Sequence, residues 1–179
     1  MMKTLIAGAA LALATVPATG LAQEGAKFDC VNSGADAGLK ASLGAAMTGA
    51  GDDANRDTLF KQLAAITDGC VAKHAITDEQ KGPYFDYSLA RISREWLVGD
   101  LAKLNLATGV VDKALAFGPG LANPDLSKEI SNDHIMAIVQ AYIDSGVDIE
   151  KVDAAVWEKV GAYAAATSIY WNKKQSLPF

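Results

Sequence analysis

Histidine and cysteine are scarce in this chain, whose 179 residues include two of each. Two histidines leave little material for a histidine-rich metal site, and two cysteines are too few for a small disulfide-scaffold protein. Positive charge is also short, with 16 Lys and Arg residues against 21 Asp and Glu residues and a net charge of −5. A nucleic-acid-binding protein needs a basic surface to neutralise phosphates, so the charge balance argues against that class.

The common catalytic and cofactor-binding motifs are missing as well. The chain has no Gly-x-Ser-x-Gly, Ser-x-x-Lys or His-Glu-x-x-His motif, no phosphate-binding or dinucleotide-binding glycine pattern and no Cys-x-x-Cys pair. We therefore expect neither a cofactor nor a metal. What is present is a globular composition, 50% hydrophobic and 21% charged, in a length suited to one domain.

The N-terminal residues have the order of a secretory signal peptide, in which a positive charge precedes an apolar run and then small residues. Lys3 precedes the apolar residues from Leu5 to Val16, and Pro17 ends the run. This run is shorter than the roughly 20 apolar residues that a membrane span needs, and no later segment is long and apolar enough either. We therefore expect no membrane span.

Small residues place the expected cleavage after Ala22, with Ala18 as the alternative. Residues 1–22 are then a signal peptide, and residues 23–179 form the mature helical domain. We expect the protein to be exported, either to a periplasm or out of the cell.

Export would place Cys30 and Cys70 in an oxidising compartment, where an even pair of cysteines is most often a disulfide. Closing that loop of roughly 40 residues would stabilise the fold by about 4 kcal/mol in the chain-entropy description. The alternative is a metal site, because Cys70 and His74 share one helix face. Zinc needs four ligands, however, and only Cys30 and the distant His134 remain. The sequence therefore favours the Cys30–Cys70 disulfide.

Helical periodicity recurs along the chain, whereas strand signals are weak. The pattern predicts an all-α, single-domain bundle of five or six helices with one disulfide. Asp52 or Asp53 caps one helix, Thr77 to Gln80 form a capping box, and Asp148 caps the last helix. The predicted helices lie at about 35–48, 53–74, 78–104 with a possible interruption at Gly82-Pro83, 110–117, 132–145 and 149–174.

The last helix is unusual because it carries no charge between Val160 and Trp171. One interpretation is that it is the central helix of the bundle. The other is that its small residues form a groove, for a protein partner or a small apolar ligand, or a dimer interface. The residues concerned are Gly161, Ala162, Ala165, Ala166 and Ile169.

Catalytic candidates are few and scattered. His134 lies in the first turn of a predicted helix, where the helix dipole disfavours the charged imidazolium. Arg91 and Glu95 lie four residues apart on a helix face, an arrangement that is usually an exposed ion pair. We identify no catalytic residue, and these three are the parts that an enzyme would use.

Two short resemblances bear on function. Ile76-Thr77-Asp78-Glu79-Gln80 resembles the Leu-Thr-x-x-Gln signature of Spy-type periplasmic chaperones, in a single copy and with Ile in place of Leu. Residues 131–171 are similar in pattern to small, all-helical, disulfide-bearing immunity proteins, although no cysteine falls in that stretch. These resemblances imply a chaperone-like or an immunity-like role, and neither assigns the chain to a family.

The leading functional expectation is therefore an exported, non-enzymatic protein of the cell envelope with a binding or protective role. One alternative is a periplasmic hydrolase or lyase whose site is assembled from dispersed residues. The other is a structural homo-oligomer that uses the alanine-rich C-terminal helix.

Overall fold

The computed structural model describes residues 19–49 and 51–179, with side chains from Gly25 onward. These residues form seven α-helices and a short 3-10 turn, and they contain no strand. The all-helical prediction is thus confirmed, but the predicted count of five or six helices is wrong. In chain order the elements are α1 (Thr19–Gly34), α2 (Ala37–Ala46), α3 (Asp53–His74), α4 (Asp78–Lys103), α5 (Thr108–Ala114), α6 (Asn132–Asp144), the 3-10 turn Ile149–Lys151 and α7 (Ala154–Ser176).

The additional helix is α1, which is held by tertiary contacts: Val31 is fully buried, and two side chains of α4 bind carbonyl groups of the helix. Tyr84 donates a hydrogen bond to the carbonyl oxygen of Lys27 at 2.6 Å, and Arg91 donates one to the carbonyl oxygen of Phe28 at 3.1 Å. The expected cleavage position at Ala22 lies within α1. Most of the expected signal peptide, residues 1–18, lies outside the described residues.

The Cys30–Cys70 disulfide is present and joins α1 to α3, with Cα atoms 5.9 Å apart. Cys70 is buried, as its place on the apolar face of its helix predicts. The bond ties the N-terminal helix to the second of the predicted helices.

Local sequence signals fix several helix ends. Asp52 caps α3 by accepting a hydrogen bond from the Asn55 N–H at 2.8 Å, and the Gln80 side chain accepts one from the Thr77 N–H at 3.3 Å. Pro83 does not interrupt α4, which runs unbroken from Asp78. The carbonyl group that Pro83 leaves without a helical donor belongs to Glu79, which is exposed to water.

The predicted start of the last helix is wrong. Asp148 precedes the 3-10 turn rather than the helix, and α7 begins at Ala154 after Asp153. Val152 packs against the apolar interior and takes an extended backbone, so the chain leaves helical geometry there before it re-enters.

The buried side chains form two clusters. The first core draws on α1, α2, α3, the N-terminal part of α4 and the C-terminal residues; it comprises Val31, Ala35, Leu43, Ala46, Leu59, Leu63, Cys70, Ile76, Tyr84, Tyr87, Ile92 and Leu177. The second core draws on the rest of α4 and on α5, α6 and α7; it comprises Leu97, Leu101, Leu106, Val111, Leu115, Phe117, Leu126, Ile138, Tyr142, Val160, Tyr163 and Ala164.

Helix α4 belongs to both cores, and α7 packs along it in the antiparallel direction. Lys173 contacts Asp86 near the start of α4 at 2.9 Å, whereas Lys159 contacts Asp100 near its end at 2.6 Å. Helix α4 contributes Tyr84, Tyr87 and Ile92 to the first core and Leu97 and Leu101 to the second.

No residue of α7 from Val160 to Lys174 is exposed. The central helix of the described residues is nevertheless α4 rather than α7, because α4 packs against α1, α2, α3, α5 and α7, whereas α7 packs against α4 and α5. None of the helices in the described residues combines the length and apolarity that crossing a membrane requires.

Candidate functional site

Helices α4 and α7 leave a groove between them, and four of the five predicted small-face residues line it. Ala162, Ala165, Ala166 and Ile169 contribute the α7 side, and the cavity volume is about 430 Å³. We call this the α4–α7 groove; its other lining residues are Met47, Asp86, Leu89, Ala90, Ser93, Leu97, Ser127 and Lys173.

The groove exists because small side chains face each other along two helices that are fixed at both ends. Ala90 and Ser93 on α4 lie opposite the alanines of α7, so neither helix fills the space beside their contact line. The ion pairs Asp86–Lys173 and Asp100–Lys159 prevent the helices from separating at their ends. The cavity is therefore part of the folded framework rather than a gap between loosely held segments.

Chemically, the groove is an apolar trough with a charged end. The Asp86 carboxylate and the Lys173 ammonium meet there and are both partly exposed. The Ser93 hydroxyl donates to the carbonyl oxygen of Leu89 at 2.8 Å, so part of its hydrogen-bonding capacity is used within its own helix. The trough suits an apolar body with a polar group at the Asp86–Lys173 end.

An irregular segment between α5 and α6 borders the groove through Ser127. Side chains of α7 form hydrogen bonds with the backbone of that segment. The Ser168 hydroxyl donates to the carbonyl oxygen of Pro124 and accepts from the N–H of Leu126, both at 2.8 Å. Asn172 donates to the carbonyl oxygen of Asn123 at 3.0 Å. These contacts hold the wall next to the groove even though the segment has no regular structure.

Gly161, the fifth predicted residue, lies elsewhere. It lines a second, more apolar groove of about 560 Å³ between α6 and α7, which we call the α6–α7 groove. Its other lining residues are Ile130, Ile135, Ile138, Val139, Ile149, Ala154, Trp157, Glu158 and Val160. No Cα atom of α6 lies within 8 Å of one of α7, and the neighbouring Met136 is 64% exposed. The predicted small-residue face is thus divided between two grooves.

A polar cluster that is not among the predicted sites joins α4, α5 and α7. Arg94 donates to the Asp112 carboxylate and to the Tyr163 hydroxyl, both at 3.0 Å, and Tyr163 donates to Asp112 at 2.8 Å. Arg94 also donates to the Thr167 hydroxyl at 3.2 Å. Burial raises the pKa of Tyr163, although the Arg94 charge opposes the shift.

This cluster stabilises the packing of three helices, since every member is paired with another member. In the sequence, Tyr163 follows Val156 and Val160 at the spacing of one helix face, and a tyrosine hydroxyl needs a hydrogen-bond partner when it is buried. That need was the available signal, but it does not say which of the chain's cations or carboxylates supplies the partner.

The catalytic candidates are not brought together. Arg91 contacts Asp29 at 2.6 Å and Glu95 at 2.8 Å and thereby holds α1 on α4. His134 lies at the start of α6, with its Nδ1 3.0 Å from the Ser131 hydroxyl. Helix α6 has no Cα atom within 8 Å of α4, so His134 lies apart from Arg91 and Glu95.

His74, the remaining histidine, lies beside the disulfide at the end of α3. Its Nε2 is buried and has no hydrogen-bond partner among the described residues. Burial, together with the charges of Lys73 and Lys27, lowers the pKa of His74, which favours the neutral imidazole. Within the same described residues, no group of three or more His, Cys, Asp or Glu side chains is arranged to hold a metal ion.

Comparisons with protein families, with curated proteins and with solved structures give no match to this chain. Its function is therefore inferred from its own residues.

Proposed function

We propose that this chain is an exported, non-enzymatic protein of the cell envelope that binds a small, largely apolar ligand in the α4–α7 groove. The observation that carries the proposal is the groove itself. Its volume of about 430 Å³ falls within the roughly 300–1,000 Å³ range of small-molecule sites. Its lining is mostly apolar, with a charged pair at one end that would orient a polar group of the ligand.

The disulfide supports the exported part of the proposal, because disulfides persist mainly in oxidising compartments. The contacts that hold α1 are compatible with removal of residues 1–22. Those described begin at Lys27 and continue through Phe28, Asp29 and Cys30. Loss of the turn Thr19–Ala22 would leave all of them in place.

The non-enzymatic part is supported by the positions of the polar side chains. Arg91 and Glu95 are engaged in holding α1 on α4, and His134 lies in the first turn of a different helix, beside its N-cap residue Ser131. The polar groups at the groove are the Asp86–Lys173 pair and two serines, a set suited to orienting a ligand.

A fluorescence titration with anilinonaphthalene sulfonate, an apolar dye with an anionic group, tests the site. Ala165→Phe would place a ring in the groove from the partly exposed face of α7. Ser127→Tyr would obstruct it from an exposed loop position outside the helices. We expect each change to weaken dye binding at least about tenfold, which corresponds to about 1.4 kcal/mol.

The matched control is Val139→Phe, which fills the α6–α7 groove instead and should leave dye binding unchanged. The proposal fails if both groove variants fold and bind the dye like the wild type, or if the control alone abolishes binding. Light scattering of the wild type and of Ala165→Glu distinguishes ligand binding from the homo-oligomer alternative. A wild-type dimer that dissociates on this substitution would assign the face to self-association.

Export is tested by N-terminal sequencing of the protein recovered from outside the cytoplasm. We expect it to begin at Gln23, with Cys30 and Cys70 oxidised. A chain that is found only in the cytoplasm, with both thiols free, would contradict the exported location while leaving the ligand-binding test unaffected.

A further inference from the structure

The Lys174 ammonium, in the last turns of α7, lies over three aromatic rings at once. Its Nζ is 5.4 Å from the ring centroid of Trp171, 5.5 Å from that of Phe28 and 5.7 Å from that of Tyr170. All four residues are partly exposed, so this arrangement lies at the surface. We call the three rings the ammonium cage.

The cage is built by α7 and α1, which both pack on α4; no Cα atom of α1 lies within 8 Å of one of α7, so Phe28 reaches Lys174 through its side chain. Tyr170 and Trp171 lie four and three residues before Lys174, so all three share one side of α7. The two rings meet at 76° with centroids 5.0 Å apart and form two walls. Phe28 closes the third side from α1 and packs edge-on against Tyr87 at 5.0 Å.

The neighbouring lysine shows what is unusual here. Lys173 pairs with the Asp86 carboxylate at 2.9 Å, as surface lysines commonly do. No carboxylate among the described side chains lies within 4 Å of the Lys174 ammonium. The positive charge of Lys174 is therefore stabilised by ring faces, which is the arrangement that proteins use to bind ligand cations.

We propose that Phe28, Tyr170 and Trp171 form a binding site for a quaternary ammonium group, which Lys174 fills in the unliganded protein and vacates when the ligand binds. A lysine ammonium is compact and strongly hydrated, so it gains little by leaving water for ring faces. A quaternary ammonium has no N–H group to hydrate and spreads its charge over methyl groups, which suits an aromatic cage better. The flexible, partly exposed stem of Lys174 can turn into solvent.

Other charges near these rings limit the site to one cation. Arg94 lies 5.7 Å from the Tyr170 centroid, and Lys27 lies 4.9 Å from the centroid of Phe179, whose ring neighbours Phe28. A ligand with a single quaternary nitrogen and a neutral or anionic remainder fits these surroundings. The site is separate from the α4–α7 groove, so the two proposals can fail independently.

Proton NMR with tetramethylammonium as the probe tests the proposal, because ring currents shift methyl signals upfield when the cation enters the cage. We expect saturable binding to the wild type and at least about tenfold tighter binding to Lys174→Ala, in which the competing ammonium is absent. Lys61→Ala, the control, removes one positive charge from the exposed face of α3 and should bind like the wild type. Adding Trp171→Leu to Lys174→Ala should abolish binding.

A neutral probe of similar shape, neopentyl alcohol, separates cation recognition from apolar contact, and we expect it to bind no variant. Equal binding of both probes would overturn the proposal, as would the absence of tetramethylammonium binding to folded Lys174→Ala. If tetramethylammonium binds Lys174→Ala but not the wild type, the claim that the ligand displaces Lys174 is wrong. If Lys174→Ala does not fold, Lys174→Gln removes the charge while keeping most of the stem and carries the same expectations.

Discussion

The two cores of this protein share α4 but are closed by different means. Around the first core, a disulfide and the Arg91 ion pairs bind α1 to α3 and α4. Around the second core there is no covalent link, and the Arg94–Asp112–Tyr163 cluster joins α4, α5 and α7.

The difference follows from the intrinsic stability of the segments around each core. Helix α1 contains three glycines and the ten-residue α2 contains two, and glycine lowers intrinsic helix stability. Such helices need tertiary support, which the crosslink to α3 supplies. The second core borders the long irregular segment between α5 and α6, so it depends on polar side chains such as Ser168 to satisfy the backbone groups of that segment.

Removing the crosslink should have the largest effect. We expect the double substitution Cys30→Ala and Cys70→Ala to lower the free energy of unfolding by about 4 kcal/mol, because the unfolded chain regains the freedom of a loop of roughly 40 residues. Urea unfolding followed by circular dichroism measures the loss. Hydrogen exchange should show faster opening in α1 and α2 than in α5 and α7. Equal acceleration in all four helices would contradict the proposed difference between the cores.

Breaking the polar cluster should have an intermediate effect, centred on the second core. Asp112→Ala removes the carboxylate that Arg94 and Tyr163 share, and leaving them unpaired should cost about 2 kcal/mol, since Arg94 is about a quarter exposed and water offsets part of the loss. Asp112→Asn retains an acceptor and should cost less. Urea unfolding measures both losses. An Asp112→Ala variant that is as stable as the wild type would show that the cluster does not contribute to the free energy of unfolding.

Alkaline pH should weaken both cores through their buried tyrosines, and Tyr84 and Tyr142 allow one of them to be tested in each core. Burial raises the pKa of Tyr84 in the first core and of Tyr142 in the second to about 12, from an ordinary 10. The unfolded chain ionises first, so stability is complete below about pH 10 and is lost as the pH rises toward 12. Each tyrosine contributes about 1.4 kcal/mol per pH unit in that window.

Unfolding free energies measured on either side of pH 10, for Tyr84→Phe and Tyr142→Phe, assign these contributions. Each substitution should remove its own share of the pH dependence. A slope that neither variant changes would show that other groups control alkaline stability.

Much of the local structure was predictable because it depends on neighbours in sequence. Asp52 at an N-cap and the Thr77–Gln80 capping box act within one turn, so their effect is visible in the residue order. The disulfide was predictable for a simpler reason, since Cys30 and Cys70 are the only pair available. The helix count was not, because α1 depends on contacts with Tyr84 and Arg91, which lie more than 50 residues away.

The candidate site was predictable only in part. An uncharged, small-residue face on the last helix indicated a groove or a close contact, and the structure contains both. Ala164 is buried away from the groove, whereas Ala162, Ala165 and Ala166 line it. The positions of small residues in the sequence do not predict which neighbouring helix packs against them and which leaves a groove.

The sequence by itself determined the all-helical class, most helix ends and the identity of the disulfide, because these follow from short-range geometry and from the small number of cysteines. Only the tertiary structure decided which helices pair, where a groove remains open and which charges find partners. The two adjacent lysines of α7 show the reason. Lys173 and Lys174 are alike in residue type and in helix position, yet one meets a carboxylate and the other meets three aromatic rings. That difference arises where α4 and α1 meet α7, in contacts between residues far apart in the chain.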